Sequence, residues 1–130
     1  MIEINSSSLA FQVLRTKFNT FSEEVWILSL DTHLRLISID MIFRGTANSC
    51  LIHPRDIFRI LILNNACSFV LAHNHPSKSI IPSEEDLIIT RKLRQISKLF
   101  EITMNDHIIF TDQKYFSMMD SGLFKSKVRR

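Results

Sequence analysis

The run Ser68-Phe69-Val70-Leu71-Ala72-His73-Asn74-His75 constrains the fold of this chain more than any other stretch. An unbroken apolar segment with polar ends fits a strand buried on both faces, and such a strand needs a covering layer on each side. Two histidines follow the apolar residues directly, so the strand is expected to open at a site rather than at a plain turn.

The flanking pattern supplies the covering layers. Residues 6–18 start with a serine run suited to an N-cap and continue through Leu9, Val13 and Leu14 at helical spacing, which predicts a first helix. Val25 to Leu30 and Leu34 to Ile39 read as a hairpin around Asp31, Thr32 and His33, with a third strand over Met41 to Phe43 and an extension near Cys50-Leu51-Ile52. His53-Pro54-Arg55-Asp56 opens a second helix with Ile57, Phe58, Leu61 and Ile62 on one face, and Asn64-Asn65 ends it. A loop from Asn74 to Pro82 leads to a helix over Ser83 to Leu99 with Leu87, Leu93 and Ile96 inward. Ile102 to Phe110 and Tyr115 to Met118 then read as strands. Interleaved elements of this kind predict an α/β fold, a curved mixed sheet packed by two or three helices.

Composition sets the outer bounds. With 130 residues, 45% of them hydrophobic and 22% charged, the chain fits one ordinary globular domain. Its longest apolar run falls far short of the roughly 18 residues of a membrane span, and Cys50 and Cys67 have no CxxC partner or secretory signal. Buried free thiols and a cytoplasmic location are expected. The net charge of +3 is concentrated at the ending Lys125, Lys127, Arg129 and Arg130, a tail more suited to solvent than to a nucleic-acid surface.

The chemistry-bearing residues lie around the central run. Residues two apart on an extended chain point the same way, so His73 and His75 can converge on one point. Ten residues (76–85) separate His75 from Asp86, long enough to return that carboxylate as a third ligand. Three protein ligands leave a fourth position open, the arrangement of catalytic zinc sites, where bound water becomes an accessible nucleophile. Hydrolysis also needs a base, and Glu23 or Glu24 at the start of the first strand can supply it. By alternation Glu23 shares a face with Val25, Ile27 and Ser29, and Glu24 shares one with Trp26, Leu28 and Leu30. The pattern alone leaves both open. Plainer readings exist for each part: an isolated His-x-His is common, Ser83 to Asp86 matches a helix capping box, and two acids at a strand start are ordinarily solvated.

Taken together, H-x-H-P, six residues and S-x-x-D, with a Glu ahead of an apolar strand, resemble the signature of the JAMM metalloproteases. Val25 to Asp31, Phe43-Arg44-Gly45-Thr46, His53-Pro54-Arg55, Leu71 to Ser77 and Asn105-Asp106-His107 are similar to the bacterial RadC-like branch of that superfamily. The resemblance implies a single MPN (JAB/JAMM, cytidine-deaminase-like) domain over 20–124, preceded by a helical lead-in at 1–19 and followed by a basic tail at 125–130. It also implies one zinc ion per chain held by His73, His75 and Asp86. Glu23, eight positions before Asp31, is implied as the base, and Ser83 as a donor to the developing oxyanion. Members of the superfamily cleave amide bonds, including isopeptide bonds, and RadC-like proteins have been labelled as DNA repair factors.

Two departures stand out. Lys78 occupies the position where the family reads glycine, which stiffens or recharges the loop beside the site. Only about 20 residues precede the core, whereas larger members carry a helix-hairpin-helix region there. Peptide or isopeptide substrates are therefore the leading expectation. The competing readings are a protein- or DNA-binding module without turnover and a DNA repair accessory, the last aided by Arg91, Lys92, Arg94 and Lys98 on one helix. His33 and His53 are expected to be local rather than ligating. Asp106-His107 is expected to form a buried structural pair or to orient the site.

Overall fold

All seven residues of Ser68–Asn74 are buried, as the apolar run requires of a strand covered on both faces. They belong to a computed structural model that describes residues 2–45 and 52–124. In chain order the elements are α1 (Ser7–Leu14), β1 (Glu23–Leu30), β2 (Leu36–Gly45), α2 (Pro54–Leu63), β3 (Ser68–Asn74), α3 (Glu84–Phe100), β4 (Thr103–Phe110) and β5 (Tyr115–Ser117). A short 3-10 segment, Arg15–Lys17, continues α1. The sheet order is β2-β1-β3-β4-β5, with β3 and β4 parallel and every other neighbouring pair antiparallel. This is the mixed sheet and helix arrangement expected of the chain.

Each helix starts where the sequence supplies a cap. The Ser6 hydroxyl accepts the Leu9 N–H and satisfies one donor of the first turn of α1. Pro54 opens α2 with no backbone N–H to leave unpaired, and Asp56 sits in the first turn, where its charge suits the helix dipole. Ser83 and Asp86 form a complete capping box at the start of α3, which ends at Glu101 in a left-handed conformation.

The two faces of the sheet carry separate cores. Val25, Ile27, Phe69 and Leu71 pack with Ile57, Phe58 and Leu61 of α2 and Leu93 of α3. On the opposite face, Leu28, Leu30, Val70, Ala72, Ile108 and Phe110 pack with Ala10, Phe11 and Leu14 of α1.

Several local expectations are revised. The two segments expected at Leu34 to Ile39 and Met41 to Phe43 are one strand, β2, because Leu34 lies in the turn at φ 61° and pairing with β1 continues to Gly45. Residues 46–51, with Cys50 and the expected sheet extension, lie outside the described residues. Ile62 is exposed, since Ile57, Phe58 and Leu61 already complete the inward stripe of α2. On α3 Leu93 is buried, whereas Leu87 and Ile96 are half-buried. Cys67 is exposed, because it lies in the connection just before β3.

A β-bulge re-aims the middle of β4. Phe69 pairs with Met104 and Val70 with Asp106, so Asn105 is the extra residue. His107 consequently pairs with Leu71 and joins the α3 face, while Asp106 turns to the α1 face. There the Asp106 carboxylate accepts the N–H groups of His107 (2.8 Å) and Met119 (2.9 Å) and the Ser117 hydroxyl (2.5 Å). Asp106→Ala leaves three donors without this acceptor. At about 1–3 kcal/mol for each buried unsatisfied group, it is expected to lose about 3 kcal/mol or more in urea unfolding. Burial raises the Asp106 carboxyl above its ordinary value despite these bonds. The fold therefore favours the protonated form, and that contribution, complete below pH 3.8, fades as pH rises through the raised value. Asp106→Asn, which keeps one acceptor and removes the charge, is expected to lose less than alanine and to flatten this pH dependence.

Candidate metal centre

The site is built at the end of β3 where the apolar run stops. Val25 pairs with His73 across β1 and β3, so Glu23, two residues earlier on β1, lies on the same face as His73. Glu23, His73 and His75 bring donor atoms within 4.8 Å of one another, a group that can hold a metal ion. The Glu23 carboxylate comes to 3.9 Å from His73 Nε2.

Glu24 faces the other way. It is 2% exposed and pairs with Arg44 Nε at 2.8 Å, while Asn19 Nδ2 donates to it at 3.2 Å. The start of β1 is tied to the end of β3 by Asn74, which is fully buried. Its side chain accepts the Glu24 N–H (2.8 Å) and donates to the carbonyls of Asn19 (2.7 Å) and Ser22 (3.1 Å). Those three bonds fix the backbone on both sides of Glu23.

His75 lies just past the strand. Its Nδ1 is 2.9 Å from the Ser79 carbonyl, which can only accept, so Nδ1 carries a proton and Nε2 faces the cluster. The turn between them closes through the Lys78 N–H and the His75 carbonyl at 2.8 Å. Lys78 adopts φ 67°, the left-handed region that glycine enters most easily. Its ammonium lies 5.9 Å from the centre of the Phe18 ring. The lysine therefore keeps the turn a glycine would favour and adds a cation beside an aromatic ring.

Asp86 comes to the same point from the first turn of α3. Its Oδ1 is 3.1 Å from His73 Nε2 and its Oδ2 3.3 Å from His75 Nε2, and the two Nε2 atoms are 3.0 Å apart. Asp86 is thus about as close to each ring as the rings are to each other. Oδ2 also accepts the Ser83 N–H at 2.8 Å, so cap and cluster share one carboxylate. Burial opposes ionisation of Asp86, but His73 and His75, whose Nε2 atoms face its two oxygens, together with the Ser83 N–H outweigh it and hold the carboxyl far below its usual range. The Asp86 carboxylate in turn raises His75.

Behind His73 lies a polar chain that sequence reasoning saw only in part. His73 Nδ1 is 2.8 Å from His107 Nε2, and His107 Nδ1 is 2.5 Å from the Thr90 hydroxyl. The His107 side chain partners His73 rather than Asp106, because consecutive strand residues face opposite sides and the bulge puts His107 on the His73 side. Complete burial, with the neighbouring His73, pushes His107 well below its ordinary value. Thr90, unremarked in the sequence, is four residues after Asp86 and so on the same face of α3. His33 is exposed and bonded within its own turn, and His53 makes no side-chain cap bond. Arg94 donates to the Phe124 carbonyl and stacks on that ring at 4.4 Å, which engages it within the domain.

Comparison with known proteins fits this architecture. The family model described as RadC-like JAB domain matches residues 4–123. The chain belongs to that family. This RadC-like JAB domain is 36% identical over 124 residues to a UPF0758 protein of Staphylococcus haemolyticus strain JCSC1435, covering 95% of this chain and 54% of that protein. A UPF0758 protein of Staphylococcus aureus strain NCTC 8325 is 36% identical over 118 residues, 91% of this chain and 54% of the relative. The chain spans about half the length of the curated relatives it matches. No helix among the described residues is long and apolar enough to cross a membrane.

Proposed function

We propose that this RadC-like JAB domain is a zinc-dependent amide hydrolase in which His73, His75 and Asp86 hold one metal ion, Glu23 is the general base and Ser83 is the oxyanion donor. The carrying observation is the triangle of side chains His73, His75 and Asp86, in which the two Nε2 atoms are 3.0 Å apart, Asp86 Oδ1 is 3.1 Å from His73 Nε2 and Asp86 Oδ2 is 3.3 Å from His75 Nε2. Ligand atoms about 2.0–2.1 Å from a tetrahedral zinc lie about 3.3–3.4 Å from one another, so the triangle fits that ion with little movement. Two imidazoles and a carboxylate are also a donor set that zinc accepts.

A zinc ion held by three protein ligands supplies a fourth position where water is acidified and a carbonyl polarised. The remaining work belongs to side chains. Glu23 lies beside the triangle, farther from His73 than Asp86 is, and its carboxylate can take a proton from water and return it to the leaving amine. The Ser83 hydroxyl accepts the Asp86 N–H at 3.1 Å and so retains its own proton to donate to an oxygen that gains charge. Asp86, ionised because both rings face it, brings a negative charge that favours a cation. Peptide and isopeptide bonds are the substrate class this chemistry suits.

The test is chelator-sensitive turnover. The zinc-loaded chain is expected to cleave members of a panel of fluorogenic peptide and isopeptide substrates, to stop on chelation and to resume when zinc is restored. Cleavage that persists after the metal has been removed, or no cleavage anywhere in the panel by fully loaded protein, would contradict the proposal.

A further inference from the structure

The chain of bonds behind His73 has a single consistent direction when its Nε2 serves as a ligand. The Thr90 hydroxyl has one proton and lies 2.6 Å from the Asp86 carbonyl, which can only accept. Met118 Sδ, at 3.5 Å, is the more distant and weaker acceptor. With its proton given to that carbonyl, the Thr90 oxygen accepts from His107 Nδ1–H at 2.5 Å. His107 Nε2 then carries a lone pair and accepts from His73 Nδ1–H at 2.8 Å. His73 is left with its own lone pair on Nε2, the atom that meets His75 and Asp86. The path begins at the main chain of Asp86 and ends beside its side chain, so one turn of α3 fixes both a carboxylate and the tautomer of the ring opposite it.

From this geometry we infer that His107 and Thr90 are positioning residues that hold His73 in the Nδ1–H tautomer and so present its Nε2 to a metal. The inference rests on the proposed ligand set but concerns residues outside it. It assigns the bulge at Asn105 a purpose, since if Asn105 took a regular paired position instead of bulging, alternation from Met104 would place His107 on the far face of the sheet. Outer-shell partners of ligating histidines typically change metal affinity by about 10- to 100-fold when removed.

The experiment uses the full chain and two readouts. Zinc affinity is measured by competition with a chromophoric chelator for wild type, Thr90→Val, Thr90→Ser and His107→Leu. The His73 tautomer is read from long-range proton–nitrogen correlations of the metal-free protein at mildly alkaline pH. We expect about 10- to 100-fold weaker zinc binding in His107→Leu, a smaller loss in Thr90→Val, and recovery in Thr90→Ser, which restores the hydroxyl. The wild type should show Nδ1–H on His73, and Thr90→Val a mixture of tautomers. Zinc affinities within twofold of wild type in both Thr90→Val and His107→Leu, or Nε2–H on His73 in the wild type, would overturn the inference. Failure of the wild type to bind zinc would instead count against the ligand set, while the tautomer readout would still decide the role of His107 and Thr90.

Discussion

Zinc-loaded Glu23→Gln is expected to hydrolyse amide substrates about 100- to 10,000-fold more slowly than wild type while keeping its metal, the span associated with loss of a positioned base. Glutamine preserves the length and shape of the side chain but cannot take up the proton. Glu23 competes with Asp86 for a place in the ligand set, since both carboxylates approach His73, at 3.9 and 3.1 Å. The variant separates the two roles. Retained zinc with lost turnover assigns Glu23 to proton transfer, whereas joint loss of zinc and turnover would make it a ligand. Turnover at saturating substrate and metal content of the same preparation are the measurements required.

Asp86→Asn is expected to weaken zinc binding by more than about 100-fold, beyond the range of an outer-shell loss. The substitution keeps a carbonyl oxygen for the Ser83 N–H, so the cap of α3 can persist while the charge between the two rings disappears. Its metal-free form reports on that charge separately. The folded state holds Asp86 low, so its contribution is present above pH 3.8 and is lost as pH falls toward the depressed value. His75 is held high, so its contribution is complete below pH 6.5 and is lost as pH rises through the raised value. Metal-free wild type should therefore exceed Asp86→Asn in stability most clearly from about pH 4 to 6.5, with the gap narrowing on both sides. Urea midpoints across pH check this, and a gap that did not vary with pH would contradict it.

Much of this arrangement was legible because it depends on local patterns. The unbroken apolar run specified a doubly covered strand, and period-two alternation placed His73 and His75 together beyond it. Alternation also divided Glu23 from Glu24 without choosing between them; the register of Val25 against His73 supplies the geometry that separates them. The less legible parts depend on register and on backbone exceptions. Nothing in the pattern of residues 103–110 marks Asn105 as a bulge, so the sequence did not show which face of the sheet Asp106 and His107 each take, and their adjacency suggested a pair that alternation in fact divides. The turn at Leu34 is a positive-φ position held by a residue with no turn preference, which is why the hairpin boundary falls later than expected. Nothing in the residue pattern singles out Asn74, yet its three long-range bonds hold the start of β1 and thereby Glu23. Such a role requires the sheet order, which sequence pattern did not provide.

Metal content tests the central claim most directly. Elemental analysis of tag-free wild type, purified without chelators and dialysed against zinc, should give about one zinc per chain, retained in Glu23→Gln and lost in Asp86→Asn. Folded wild type that takes up no zinc, or an Asp86→Asn protein that keeps a full equivalent, would contradict the account.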